Sequence, residues 1–173
     1  AITWVGTPVV GCVLGYIFTK TAGIIKAKTA EAIKKYILIL ACCYASFTLG
    51  ANNSGLAVSV LYGSGTVKSL LLAGFIGGVV VAIGALTWGR PLLEKVGLHI
   101  VQLEINSAIG AQFGQATTAY IAALLGYPTS MNQAIVGAIG GAGLARGVKY
   151  IQLRVVKEIV INWFVSLIVS GFT

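Results

Sequence analysis

Aspartate is missing altogether from this chain of 173 residues, and its only acids are Glu31, Glu94, Glu104 and Glu158. Histidine and methionine occur once each, as His99 and Met131, and charged residues make up only 9% of the sequence. So little charge cannot cover the surface of a water-soluble domain. The gaps also exclude chemistries. No serine, histidine and carboxylate set, no metal-ligand cluster and no G-x-x-x-x-G-K-[ST] phosphate loop can be assembled, so neither an enzyme nor an ATP-driven pump is expected. The three cysteines, Cys12, Cys42 and Cys43, sit in apolar stretches without CxxC spacing and read as packing residues. No secretory signal is visible, because Ala1 to Lys20 lacks a basic start and a small-residue cleavage pattern. The chain begins without methionine, which reads as a fragment or a processed piece.

What is present is apolar. Hydrophobic residues make up 57% of the chain and the mean hydropathy is +0.93, values that place it in a lipid bilayer. Spanning candidates are Thr3 to Thr19, Tyr36 to Gly50 resuming from Leu56 to Tyr62, Ser69 to Gly89, Asn106 to Leu125, Ala134 to Ala145 and Ile159 to Phe172. Among the 23 glycines, several fall four apart: Gly11 with Gly15, Gly74 with Gly78, Gly110 with Gly114, and Gly137 with Gly141. That spacing sets small residues on one helix face, where neighbouring helices can approach closely.

Two polar interruptions carry the functional expectation. The first is Gly50-Ala51-Asn52-Asn53-Ser54-Gly55, and the second is Gly126-Tyr127-Pro128-Thr129-Ser130-Met131-Asn132-Gln133. Unwound backbone, hydroxyls and amides are costly in a bilayer unless they line a cavity or hold a solute. Two such breaks suggest a transport site built from discontinuous helices. Where a helix restarts, its unpaired N–H groups carry partial positive charge and favour an anion. Side-chain donors at the breaks are Asn52, Asn53, Ser54, Thr129, Ser130, Asn132 and Gln133. Carbonyl oxygens of Asn52 and Asn53, with Gln112, Ser130 and freed backbone carbonyls, are candidate ligands for a coupling ion; a polar kink that binds nothing is the bland alternative. The second arm, Ala134 to Ala145, is short, so the pair around Pro128 reads as a re-entrant hairpin.

Other polar residues carry weaker readings. Gln112 and Gln115 lie three apart on one helix face, where they either line a pathway or bond between helices. His99 reads as interfacial or as a proton-handling group.

Charge gives an orientation. With alternating segments, Lys20, Lys26, Lys28, Lys34, Lys35, Arg90, Lys95, Arg146, Lys149, Arg154 and Lys157 fall on one side and only Lys68 on the other. The rich side is cytoplasmic by the positive-inside bias. The net charge of +8 follows from that bias, and nucleic-acid binding is not expected, since no aromatic residues interleave with the dispersed cations.

The order of these features resembles the inorganic phosphate transporter (PiT) family, including its sulfate-carrying relatives. Gly50-Ala51-Asn52-Asn53-Ser54-Gly55-Leu56-Ala57 is similar to the family's GANDVANA-like motif. Gly126-Tyr127-Pro128-Thr129-Ser130-Met131-Asn132-Gln133-Ala134-Ile135-Val136-Gly137-Ala138 is similar to its G-x-P-V-S-T-T-H hairpin and following A-I-V-G-A. Gly143-Leu144-Ala145-Arg146-Gly147 matches its L-A-R-G end. The resemblance implies an all-α integral membrane protein with discontinuous helices and a re-entrant hairpin. It implies one inverted repeat plus a flanking helix, equivalent to the C-terminal half. On that division, residues 1–35 are a flanking transmembrane helix and cytoplasmic basic loop. Residues 36–173 are the repeat, with a broken helix at 50–55 and a hairpin at 105–147.

The implied activity is secondary transport of an inorganic oxyanion, phosphate before sulfate, driven by a sodium or proton gradient across the plasma membrane without a cofactor. A complementary N-terminal half, or a second chain in an oligomer, is then needed to complete the site. A non-transporting structural subunit is the alternative. The chain departs from the family where Asn-Asp becomes Asn52-Asn53, a second asparagine becomes Leu56, and Thr-Thr-His becomes Met131-Asn132-Gln133. A carboxylate, two hydroxyls and an imidazole are thereby replaced by groups that do not titrate.

Overall fold

The computed structural model describes residues 2–24, 30–99, 104–127, 129–147 and 157–165, and within them the chain is helical apart from short connections. In order come α1 (Ile2–Ile24), α2 (Ala30–Gly63), α3 (Leu70–His99), α4 (Ile105–Leu124) and α5 (Met131–Arg146). A further helix, α6, covers 157–165. In lipid every backbone N–H and C=O must be satisfied within the segment, so apolar sequence of this length resolves into helices. Among the described residues, three stretches are long and apolar enough to cross a bilayer: Thr3–Ile24, Glu31–Asn52 and Leu70–Gly89.

The centre of the fold is α1 packed between α4 and α5, with α2 laid against α4 and α3 against α2. The bundle core is made of small residues. Ala116, Ala134, Ala138 and Ala142 are fully buried, and the largest side chain buried to that degree is Ser107. With so little side chain between them, the helices touch backbone to backbone. A Cβ added at Gly11 would lie 2.7 Å from the Ala134 carbonyl oxygen, and one at Gly114 would lie 2.7 Å from the Gly15 nitrogen. Side chains at Gly137 and Gly141 would run into the carbonyls of Pro8 and Cys12, and one at Gly110 into Thr19. Buried hydroxyls turn back on their own helices: Thr7 donates to the Thr3 carbonyl (2.6 Å) and Thr118 to that of Gly114 (2.7 Å). Aromatic rings tie α2 to the bundle, with Tyr44 against Phe113 and Tyr120 and Phe113 also against Phe18 of α1.

Two expectations are corrected. The segment 50–55 is no break: α2 runs as one helix of 34 residues through Gly50, Asn52 and Gly55. Glycine costs a helix about 1 kcal/mol relative to alanine, whereas each backbone group left unpaired in lipid costs several, so the ladder stays whole. Likewise α3 continues past Gly89, the expected end of its span, to His99. Leu92, Leu93, Glu94 and Lys95 are good helix formers, and a helix leaving the slab no longer has to be apolar. The hairpin of α4 and α5 keeps a shorter second arm. Its arms, of 20 and 16 residues, rise about 30 and 24 Å and flank α1 along most of its length. Pro128, residues 25–29 and 148–156 with their cations, and the last seven residues of the expected closing span lie outside the described residues.

Candidate functional site

The hairpin turns on one glycine. At the end of α4, Gly126 has φ 71°, a left-handed backbone open to glycine without steric cost. The Gly126 and Tyr127 N–H groups donate to the carbonyls of Ala123 (3.1 Å) and Ala122 (2.9 Å), which closes the helix in a Schellman arrangement. The chain then extends to Ser130, whose ψ of 112° makes it the N-cap residue of α5. The Ser130 carbonyl accepts from the N–H groups of Gln133 (3.1 Å) and Ala134 (3.0 Å), while its hydroxyl makes no capping bond. The N–H groups of Met131 and Asn132 thus have no acceptor within the helix, and the positive end of the α5 dipole opens at the tip.

Asn52 comes to the same place. Its Nδ2 donates to the Thr129 carbonyl oxygen at 3.2 Å, a bond between residues 77 apart in sequence. The polar segment of α2 and the hairpin tip therefore meet although α2 is unbroken: a side chain, rather than an unwound backbone, reaches across. Since α2 does not restart at Asn52, it offers neither a helix N-terminus nor freed backbone carbonyls there, and α5 alone supplies the dipole. Asn53 and Ser54 are helical neighbours whose side chains lie outside the described residues.

On the hairpin, Ser130 and Asn132 are exposed and Thr129 is half-buried. Gln133 is buried, and in the orientation that satisfies its amide, Nε2 donates to the Trp4 carbonyl (3.1 Å) while Oε1 accepts from the Trp4 indole N–H (2.5 Å). A cavity of about 260 Å³ is lined by Thr3, Trp4, Thr129, Ser130 and Gln133. At about 30 Å³ per water, it has room for several waters or a small oxyanion with part of its hydration. None of its lining side chains is charged. Neutral donors around a helix N-terminus can hold an anion loosely enough to release it.

Gln112 does not belong to this cluster. It sits twelve residues before the end of α4, about 18 Å of helical rise from the tip. Its Oε1 accepts from Gln115 Nε2 at 2.6 Å, so the two amides pair on one helix rather than between helices. Thr3 and Trp4 are the reverse case: α1 brings them to the tip, but they stand in an apolar stretch with no local polar signal. A second polar region was also missed. At the other end of the bundle a cavity of about 460 Å³ is lined by Thr19, Lys20, Glu104, Asn106 and Arg146, among others. Arg146 pairs with Glu104 at 3.0 Å, and Thr19 Oγ1, Asn106 Oδ1 and Ser107 Oγ are buried without a hydrogen-bond partner.

Three membrane-length helices, with α1 packed through glycine against α4 and α5, define a multi-pass membrane protein with polar groups gathered at a hairpin tip. The chain belongs to the phosphate transporter family, whose pattern it matches over residues 23–173. Among its relatives are proteins named "Putative phosphate permease". One from Pyrococcus horikoshii is 36% identical over 152 residues, covering 82% of this chain and 37% of the relative. One from Chlamydia pneumoniae is 33% identical, covering 82% and 35%. One from Methanocaldococcus jannaschii is 29% identical, covering 98% and 55%. This chain thus spans between about a third and just over half of those relatives' lengths. A solved structure titled "The sodium-dependent phosphate transporter" shares the fold, with a TM-score of 0.76 and 22% identity over 95% of this chain and 61% of that one.

Proposed function

We propose that this chain forms one repeat of a secondary active transporter for an inorganic oxyanion in the plasma membrane, with phosphate as its substrate and sulfate as the nearest competitor. The anion sits at the hairpin tip, held by the N-terminus of α5 and by Ser130, Asn132 and Thr129. Asn52 fixes the tip to α2, and Asn53 and Ser54 follow it on that helix as further candidates. The observation that carries the reading is the 3.2 Å bond from Asn52 to Thr129, because it joins the two polar segments beside the free end of α5. The names of the relatives support phosphate. The name of the solved structure supports sodium over protons as the coupling ion. An anion leaving water also needs a second wall, which fits a site completed by a complementary half or second chain.

The test is uptake of labelled phosphate and sulfate into proteoliposomes holding the chain together with the polypeptide that completes it. A sodium gradient is expected to drive phosphate uptake, and Ser130→Ala and Asn52→Leu are each expected to lower it up to about tenfold, the order of one lost hydrogen bond. Absence of uptake of both anions under sodium and proton gradients overturns the proposal. Unchanged uptake kinetics in both variants removes those two residues from the site. A second reading, a non-transporting subunit, is favoured by the unbroken course of α2 through Asn52 and Asn53. It predicts that a partner chain transports phosphate at the same rate with these variants.

A further inference from the structure

We propose that Gln133 and Trp4 form a positioning pair that locks the first turn of α5 to α1 and so sets the geometry of the cavity at the hairpin tip. The role of the cavity rests on the oxyanion reading above; the lock itself does not. One amide makes two hydrogen bonds to one residue, giving to the Trp4 carbonyl at 3.1 Å and taking from its indole N–H at 2.5 Å. Two bonds between the same partners fix rotation as well as distance. Gln133 is 3% exposed, so bulk water has little access to its side of either bond.

Both ends of the lock are anchored. The Trp4 ring is held edge-on by Phe164 (5.1 Å between centroids) and Trp163 (6.4 Å), both on α6. The Gln133 N–H donates to the Ser130 carbonyl, so the residue gripping α1 is part of the turn that opens toward the cavity. Trp4, Ser130 and Gln133 all line that cavity, and a shift of α5 along α1 would change its shape directly.

The residue type suits the task. An amide projects its oxygen and nitrogen from one carbon toward neighbouring targets, whereas the two ring nitrogens of an imidazole diverge, so a histidine could meet only one of the Trp4 groups without reorientation. The amide also stays neutral across the physiological range, which makes the lock independent of pH.

The experiment uses the complete transporter in proteoliposomes, with two variants and two readouts. Gln133→Leu removes both bonds at nearly constant size, and Trp4→Phe removes the indole donor while keeping an aromatic ring. Hydrogen exchange of the Gln133 and Ala134 amides is expected to quicken about tenfold in Gln133→Leu and about threefold in Trp4→Phe, in proportion to the bonds lost. In the double variant the two effects are expected to fall short of their product, because the same pair is broken twice. The KM for phosphate is expected to rise by similar factors with a smaller change in maximal rate. Unaltered exchange in the variants overturns the lock, as does full multiplication of the two effects. If Gln133→Leu yields no folded protein, Trp4→Phe decides by the same exchange criterion. If the unaltered protein takes up no phosphate, the oxyanion reading fails, while exchange still decides whether the pair holds α5.

Discussion

The bundle of α1, α4 and α5 and the pair of α2 and α3 contain the same glycine spacing and use it differently. In the bundle, Gly11 with Gly15, Gly110 with Gly114, and Gly137 with Gly141 each face the backbone of another helix at a distance no side chain could share. On α3, Gly74 meets only a Val58 methyl at 3.9 Å, and Gly78 meets nothing within 4 Å among the described residues. Instead α3 turns Leu71, Phe75 and Leu86 outward, with 88%, 72% and 83% of their surfaces uncovered, toward lipid or another polypeptide. The lesson is that four-residue spacing makes a helix face approachable, but the approach happens only where the partner is small as well. Ala134, Ala138 and Gly15 provide that match; Val58 beside α3 does not.

The largest expected effect breaks this contrast directly. Gly141→Leu should cost the bundle about 3 kcal/mol or more, because the added side chain must displace the Cys12 backbone rather than a flexible neighbour. Gly78→Leu should stay within about 0.5 kcal/mol. Thermal unfolding in one detergent reads both, and equal losses would mean that α3 packs as tightly as the bundle.

A smaller effect sharpens the comparison from inside the bundle. Gln115, 8% exposed, donates to Gln112, and Gln115→Leu should cost about 1 kcal/mol through the acceptor left behind. Thr87 on α3 bonds its own helix in the open, donating to Ile83 at 2.8 Å, so Thr87→Val should change stability by less than about 0.5 kcal/mol. The same unfolding measurement checks the pair; a larger loss at Thr87 would place α3 in a buried setting.

These contrasts show what could be read without coordinates. Composition was enough for a helical membrane protein, and three of the four glycine pairs lie at real close approaches. The hairpin was legible because a polar run around Pro128 interrupts two apolar arms, the second of them short. The break at 50–55 was misplaced because a polar run in an apolar chain has two physical outcomes. The backbone can unwind, or one side chain can reach a distant partner, as Asn52 does, and local sequence cannot tell which. Trp4 and Thr3 were invisible for a related reason, since they enter the tip through the packing of α1 on α5. Gln133 was legible as polar, yet its two bonds to Trp4 depend on that same packing.

The smallest expected effect asks whether charge helps to hold the bundle together. Arg146 at the end of α5 pairs with Glu104 at the start of α4, closing the base of the hairpin at 3.0 Å. Glu104 remains 54% exposed and Arg146 23%, so solvent screens the pair, and exposed pairs contribute about 0 to 1 kcal/mol. Glu104→Gln should therefore lower stability by less than about 1 kcal/mol at low salt. Because the screening length falls to about 3 Å at 1 M salt, the difference should vanish there. If Glu104→Gln instead cost as much as Gly141→Leu, and kept that cost in high salt, the hairpin would be held at its base rather than along its glycine faces. The close backbone contacts would then be a consequence of the fold instead of its cause.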